Sequence, residues 1–263
     1  MASVLVVEAL TTVAERLATL ALSAPDPDAE VPATPGWSVT DVMCHVTAEP
    51  TRYRDLALGR GEWPAEVVDL PAFNAEQIRS GATRNIPELA TTLRARVAAL
   101  LATFAEFGDD PPMMKFDGGQ WIRSDRALGT LLGEFVVHGY DVARAIGRPW
   151  PIEPAHVPII MDGLHQLMPT WVDPAKARGH TATYELRLRG LARYVYAFQD
   201  GHLTVDPPEP GPVDVHISAE PAASLLVNYG RVSPWRTGIT GKVIAWGRRP
   251  WLATRLRHLY YPA

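Results

Sequence analysis

Glu134 and His138 stand four residues apart in the run SDRALGTLLGEFVVHGYDVARAIG, Ser124 to Gly147. Leu128, Leu131, Leu132, Phe135, Val136, Val142 and Ile146 recur there at helical spacing. Residues i and i+4 share one helix face, one turn apart. A carboxylate and an imidazole are therefore offered together from one rigid element, an arrangement that can supply two metal ligands. Such a pair serves more often as a surface pair or a buried hydrogen bond, so the metal reading needs a third ligand from elsewhere. Asp141 follows His138 by three on the same face. It reads as a catalytic candidate, either a proton shuttle or a partner to the ligand histidine, with a salt bridge to Arg144 or Arg148 as the competing use.

His45 is the natural third ligand. It lies in TPGWSVTDVMCHVTAEP, where Ser38 and Asp41 have the spacing of a capping box and Val42 and Val46 carry an apolar face. Two imidazoles and one carboxylate make a catalytic type of set, because a fourth position stays open for water or substrate. Alone, His45 reads as a buried histidine donating to a backbone carbonyl. Glu49, one turn on, is a rival carboxylate just before Pro50. Cys44 is the only cysteine, which rules out an intrachain disulfide. It points about 100° around the helix from His45 and reads as core.

Four helices must position these groups. Val6, Leu10, Val13, Leu17 and Leu20 mark the first, and residues 24–36 form a loop. The second begins after Ser38, with a kink or break expected at Pro50 and a continuation toward Leu58. Residues 59–84 read as polar and irregular. Pro87 then opens a third long helix through Leu89, Leu93, Val97, Leu100 and Phe104. Gly108 to Trp121 reads as a loop, and Ser124 and Asp125 as the N-cap and first turn of the fourth helix, which closes at Gly147. At 1.5 Å per residue that helix spans roughly 35 Å. The set predicts a bundle whose second and fourth helices face one another.

The pattern changes after Trp150. Pro154 to Trp171 predicts a further helix, and Tyr184, Leu186 and Leu188 alternate with charged residues as a strand does. Tyr194 to Phe198 is a second strand, joined through a hairpin turn at Asp200-Gly201 to a third at His202 to Val205. Val213, Val215 and Ile217 make another strand, and helices are expected at Pro221 to Tyr229 and Pro250 to Leu259. Arg187, Arg189 and Arg193 read as strand-surface charges that could also grip a carboxylate. The division is a helical domain at 1–150 and an α+β domain at 151–263.

The 263 residues carry a net charge of −4, which gives no footprint for nucleic acid. Glu8, Glu15 and Arg16 interrupt the apolar start, arguing against a signal peptide, and no run is long enough to span a bilayer. The expectation is a cytoplasmic protein with no membrane partner; its oligomeric state is left open.

PGWSVTDVMCHV followed by GEFVVHGYDVARAIGRPW resembles the mycothiol-dependent maleylpyruvate isomerase family, within the DinB-like metalloenzyme superfamily. The resemblance continues through DVHISAEPAASLLVNYGR, GITGKVIAWGRRP and the terminal Tyr261-Pro262 into a sterol-carrier-like domain. It implies a multidomain α and α+β fold, a DinB-like four-helix bundle followed by a small α+β domain. It also implies zinc, or another divalent metal, on His45, Glu134 and His138, with mycothiol as thiol cofactor and a small-molecule electrophile as substrate. Zinc lowers the pKa of a bound thiol, and the thiolate can add to an activated alkene, allow rotation and leave, or be transferred outright. Two other readings stay open at this point. One is a non-catalytic, metal-stabilised binding protein for an apolar ligand, which a fourth protein ligand would favour; the other is a hydrolase using zinc-bound water.

Overall fold

In a computed structural model residues 4–261 are described, and Pro262 of the terminal Tyr-Pro motif lies outside them. Contacts divide the chain into two units, Met1–Ile152 with Ile159–Leu164, and Glu153–Pro158 with His165–Ala263.

The first unit contains α1 (Val4–Leu22), α2 (Val39–Ala57), α3 (Leu70–Arg79), α4 (Ile86–Glu106), β1 (Met113–Phe116), β2 (Gln120–Arg123) and α5 (Ser124–Ala145). Helices α1 and α2 each pack on both α4 and α5, forming a four-helix bundle. Leu10, Leu17, Met43, Leu93, Leu100, Leu132 and Phe135 fill its core. Each such side chain contributes roughly 1.5–3 kcal/mol by leaving water.

The helix starts are chemically defined. Ser38 Oγ accepts from the Asp41 amide at 3.2 Å and Asp41 Oδ2 accepts from the Ser38 amide at 2.8 Å, a complete capping box for α2. Asn85 Oδ1 accepts from the Glu88 amide at 3.0 Å and caps α4. Helix α5 differs from expectation: Ser124 is already inside it and buried, Arg123 is the N-cap residue, and Asp125 binds the Arg123 guanidinium at 2.9 Å. Its end is a Schellman motif, with Gly147 at φ +67° and the Arg148 amide donating to the Ala143 carbonyl at 2.8 Å.

Helix α2 takes the continuation expected toward Leu58 rather than a break: it runs through Pro50 to Ala57, with Pro50, Tyr53 and Leu56 all buried. Burial beyond the proline offsets the missing hydrogen bond. Two other expectations are corrected. Within residues 59–84 lies α3, opened by Pro71 at its first turn, where the lost amide costs little. The segment read as a loop at 108–121 holds a hairpin: β1 pairs antiparallel with β2 around Gly118 and Gly119, both at positive φ. Met114, Phe116 and Ile122 turn inward from it.

Helix α6 (His156–His165) replaces the first part of the helix expected at Pro154 to Trp171. Its residues 159–164 lie so close to α5 that a Cβ on Gly129 would stand 2.2 Å from the Ile159 carbonyl oxygen. Likewise Trp150 covers Gly139, donating from Nε1 to the Val136 carbonyl at 3.0 Å.

The second unit contains α7 (Met168–Trp171), α8 (Pro174–Ala177), β3 (Ala182–Leu188), β4 (Ala192–Gln199), β5 (His202–Val205), β6 (Val215–Ala219), α9 (Pro221–Asn228), α10 (Pro234–Ile239), β7 (Val243–Gly247) and α11 (Ala253–Leu256). The sheet order is β5-β4-β3-β6-β7, antiparallel except for the β3–β6 pair. Asp200 and Gly201, both at positive φ, turn β4 into β5. Tyr184, Leu186, Tyr196 and Phe198 bury one sheet face, where His180 and His165 bond the hydroxyls of Tyr184 and Tyr196 at 2.9 and 3.0 Å. On the other face Glu185, fully buried, is held by Arg187, Arg193 and His216. Among the described residues no helix is long and apolar enough to cross a membrane.

Candidate metal centre

Helix α2 delivers His45 and α5 delivers Glu134 and His138 to one point in the bundle. His45 Nε2 lies 3.5 Å and His138 Nε2 3.3 Å from the same atom, Glu134 Oε2. One donor atom from each residue falls within 4.8 Å of the other two. The imidazoles are buried, with centroids 5.2 Å apart and planes nearly perpendicular, whereas Glu134 keeps 26% of its side chain exposed. Trp37 contacts both rings, at 5.3 Å from His45 and 6.2 Å from His138, and shields them from water. The capping box that starts α2 thus also sets the indole beside the site.

The outward nitrogens face other groups. His45 Nδ1 lies 3.1 Å from Gln77 Oε1 on α3, and Glu49 Oε1 is 3.7 Å from the same nitrogen. Glu49 in turn meets Gln77 Nε2 at 3.5 Å and Arg52 Nη1 at 3.2 Å. The Arg52 guanidinium lies over both Trp63 and Phe73, 4.5 and 4.6 Å from the ring centres. Asp141, its side chain fully buried, stands 3.8 Å from His138 Nδ1, a nitrogen that is itself buried without a hydrogen bond. Glu49 and Asp141 therefore both sit behind the imidazoles, on the side away from Glu134. No periodicity marks Gln77 or Trp37 in the sequence: Gln77 lies in the polar stretch 59–84, and Trp37 stands just before the capping box of α2.

Burial disfavours the charged form of His45, but the hydrogen bond to Glu134 and the charges of Glu49 and Glu134 outweigh it and raise its pKa. Burial would raise Glu134, yet hydrogen bonds from His138 and His45 and their charges hold its carboxyl well below the usual range. His45 and Glu134 are thus tuned toward a shared positive charge, as a cation-binding cluster requires. Two aimed Nε2 atoms, one shared carboxylate oxygen and outward nitrogens set against a carboxamide and a carboxylate suit a divalent cation.

Cys44, next to His45, takes no part: its buried Sγ lies 3.6 Å from the Thr83 carbonyl, and burial pushes the thiol pKa up.

Among solved structures, the mycothiol-dependent maleylpyruvate isomerase is 19% identical, with a TM-score of 0.55 over 91% of this chain and 90% of that one. A histidine-to-alanine mutant of that enzyme matches at 18% identity with the same TM-score of 0.55 and the same coverage, 91% and 90%. At these identities the likeness is one of fold. No curated protein matches the chain at a significant level. Residues 7–143 match the family described as mycothiol maleylpyruvate isomerase N-terminal domain, a span that takes in nearly all of the four bundle helices and His45, Glu134 and His138. Since that match covers more than half of the sequence, the chain belongs to the mycothiol maleylpyruvate isomerase family.

Proposed function

We propose that this chain is a zinc-dependent enzyme that uses mycothiol on a small electrophile, by isomerisation of the maleylpyruvate type or by thiol transfer. The observation that carries the reading is the convergence of His45, Glu134 and His138 within 4.8 Å, with no other His, Cys, Asp or Glu among the described residues joining the set. Three protein ligands leave a coordination position for an exogenous group, which favours a catalytic over a purely structural ion.

Zinc bound there supplies the charge that holds a coordinated thiol as thiolate near neutral pH. The chain's own residues do the rest. His45 and His138 present neutral Nε2 atoms, and Glu134 contributes the single negative charge, so the site keeps net positive charge toward an incoming anion. Gln77 Oε1 accepts a hydrogen bond from His45 Nδ1–H and thereby fixes the tautomer that leaves Nε2 free. Asp141 orients His138 from behind; it is a positioning residue in this reading, since it faces the ring's far nitrogen. Trp37 excludes water above both rings, and the exposed edge of Glu134 is where ligands reach the cluster. Cys44 is sealed in the core, so the nucleophilic sulfur comes from outside the chain.

The test is calorimetry of zinc-loaded protein with mycothiol in buffers of different ionisation enthalpy. Zinc-dependent binding with release of a proton is expected, because the thiol must ionise. Binding of equal strength after zinc removal would overturn the reading. Turnover of maleylpyruvate assigns the isomerase branch, and tight binding without it keeps the thiol chemistry and discards only that substrate.

A further inference from the structure

From Pro221 to the last residue the chain carries seven Lys and Arg and no Asp or Glu, although the whole chain has a net charge of −4. Part of this charge is neutralised from elsewhere in the second unit: Lys242 pairs with Glu220 at 3.3 Å and Arg248 with Asp214 at 2.7 Å. Arg255 and Arg257 have no acidic partner among the described residues. Both line a cavity of about 490 Å³ together with Gly230, Ser233, Trp235 and His258, all within the second unit. That volume falls in the range of roughly 300–1,000 Å³ found for small-molecule sites.

The cavity is built in two respects. Gly230, at φ +71°, lets the Arg257 guanidinium lie directly on the turn, since a Cβ there would stand 3.2 Å from Cζ. Trp235 leaves 72% of its surface exposed, an apolar plane beside two unpaired cations. The positive field is felt nearby: burial lowers the pKa of His180, and Arg255 and Arg249 lower it further. Two guanidiniums recognise a carboxylate or phosphate by directed hydrogen bonds, and an indole face holds the body that bears it.

We propose that this cavity binds a small organic anion, a carboxylate or phosphate carried on an apolar body. None of the residues of the candidate metal centre, which all belong to the first unit, lines this cavity. Benzoate and phenyl phosphate are the probes, with benzamide as the uncharged control, titrated into the full chain and followed by amide chemical shifts. At least one anion should bind with shifts centred on Gly230 to Trp235, benzamide should bind at least tenfold more weakly, and chelator should leave the affinity unchanged. The stronger of the two anions identifies the head group. Arg255→Gln combined with Arg257→Gln should weaken binding at least tenfold, and Trp235→Ala should weaken the aromatic anions more than inorganic phosphate. Arg236→Gln, an exposed cation outside the cavity lining, should have less than a twofold effect. Failure of both anions to bind, unchanged affinity in the double variant, or an equal loss with Arg236→Gln would overturn the site. All four substituted side chains are exposed, so an unaltered melting temperature separates loss of binding from loss of fold.

Discussion

A histidine ligand has two nitrogens, and the one facing away decides how firmly the other is aimed. For His45 that partner is Gln77 at 3.1 Å. Gln77→Leu should therefore keep the fold yet weaken zinc binding by about 10–100-fold, measured by competition with a chromophoric chelator. Unchanged affinity would remove Gln77 from the site. His138→Ala should go further and abolish stoichiometric metal, with little loss of secondary structure by circular dichroism. His45, Glu134 and His138 were legible in the sequence because each lies on a helix of clear period, so side-chain direction follows from spacing. Gln77 was not legible: α3 is short, carries Ile78 as its one buried residue and starts at a proline that also reads as loop. No periodic signal there could say that a carboxamide would reach the ring.

Between elements, the tightest constraint on α5 is a missing side chain. Gly139 follows His138, and a Cβ there would stand 2.1 Å from the Trp150 ring. Gly139→Ala should cost about 1–3 kcal/mol through overpacking, read as a lower denaturation midpoint. In the second unit the element-scale device is Glu185 on β3. Burial would raise its pKa, but hydrogen bonds from Arg187, His216 and Arg193 pull it down to about 2. A carboxylate held below its unfolded value stabilises the fold above that unfolded value, and this stability is lost as pH falls through the folded one. The loss should fall between about pH 4.5 and 2. Because Arg187 and Arg193 are solvent-exposed at their ends, the effect should be about 1 kcal/mol. Glu185→Gln should flatten acid unfolding of the native chain in that window, and an identical acid profile would show that the cluster adds nothing. The alternation that revealed β3 and β4 showed which residues share a face. It could not show that Arg187, Arg193 and His216 converge on one buried glutamate, since His216 arrives on β6 through a parallel pairing with no local signature. Strand β7 and helix α10 escaped for a related reason: exposed Trp235, Ile239, Ile244 and Trp246 interrupt any apolar period there.

For the whole molecule, the two units should answer to different reagents. The cluster of His45, Glu134 and His138 spans α2 and α5, so it exists only when the bundle is folded, and zinc bound as proposed should add stability by mass action. At a hundredfold excess over Kd this is about 2.7 kcal/mol, and chelator should lower the bundle's melting temperature by about 5–10 °C. The same chelator should scarcely move a His138→Ala variant. The bundle itself was largely readable, because its four helices are long and amphipathic and two of them, α2 and α4, start at side-chain caps, whereas the short pieces of the second unit depend on tertiary pairing for their existence. The seclusion of Cys44 has a consequence for measurement. With one cysteine in the chain, buried in α2 beside His45 and with its thiol held protonated, an alkylating reagent marks a molecule only while the bundle is open. The sulfur is a clock wound by folding: each labelled chain records one opening, and zinc should make it run slower.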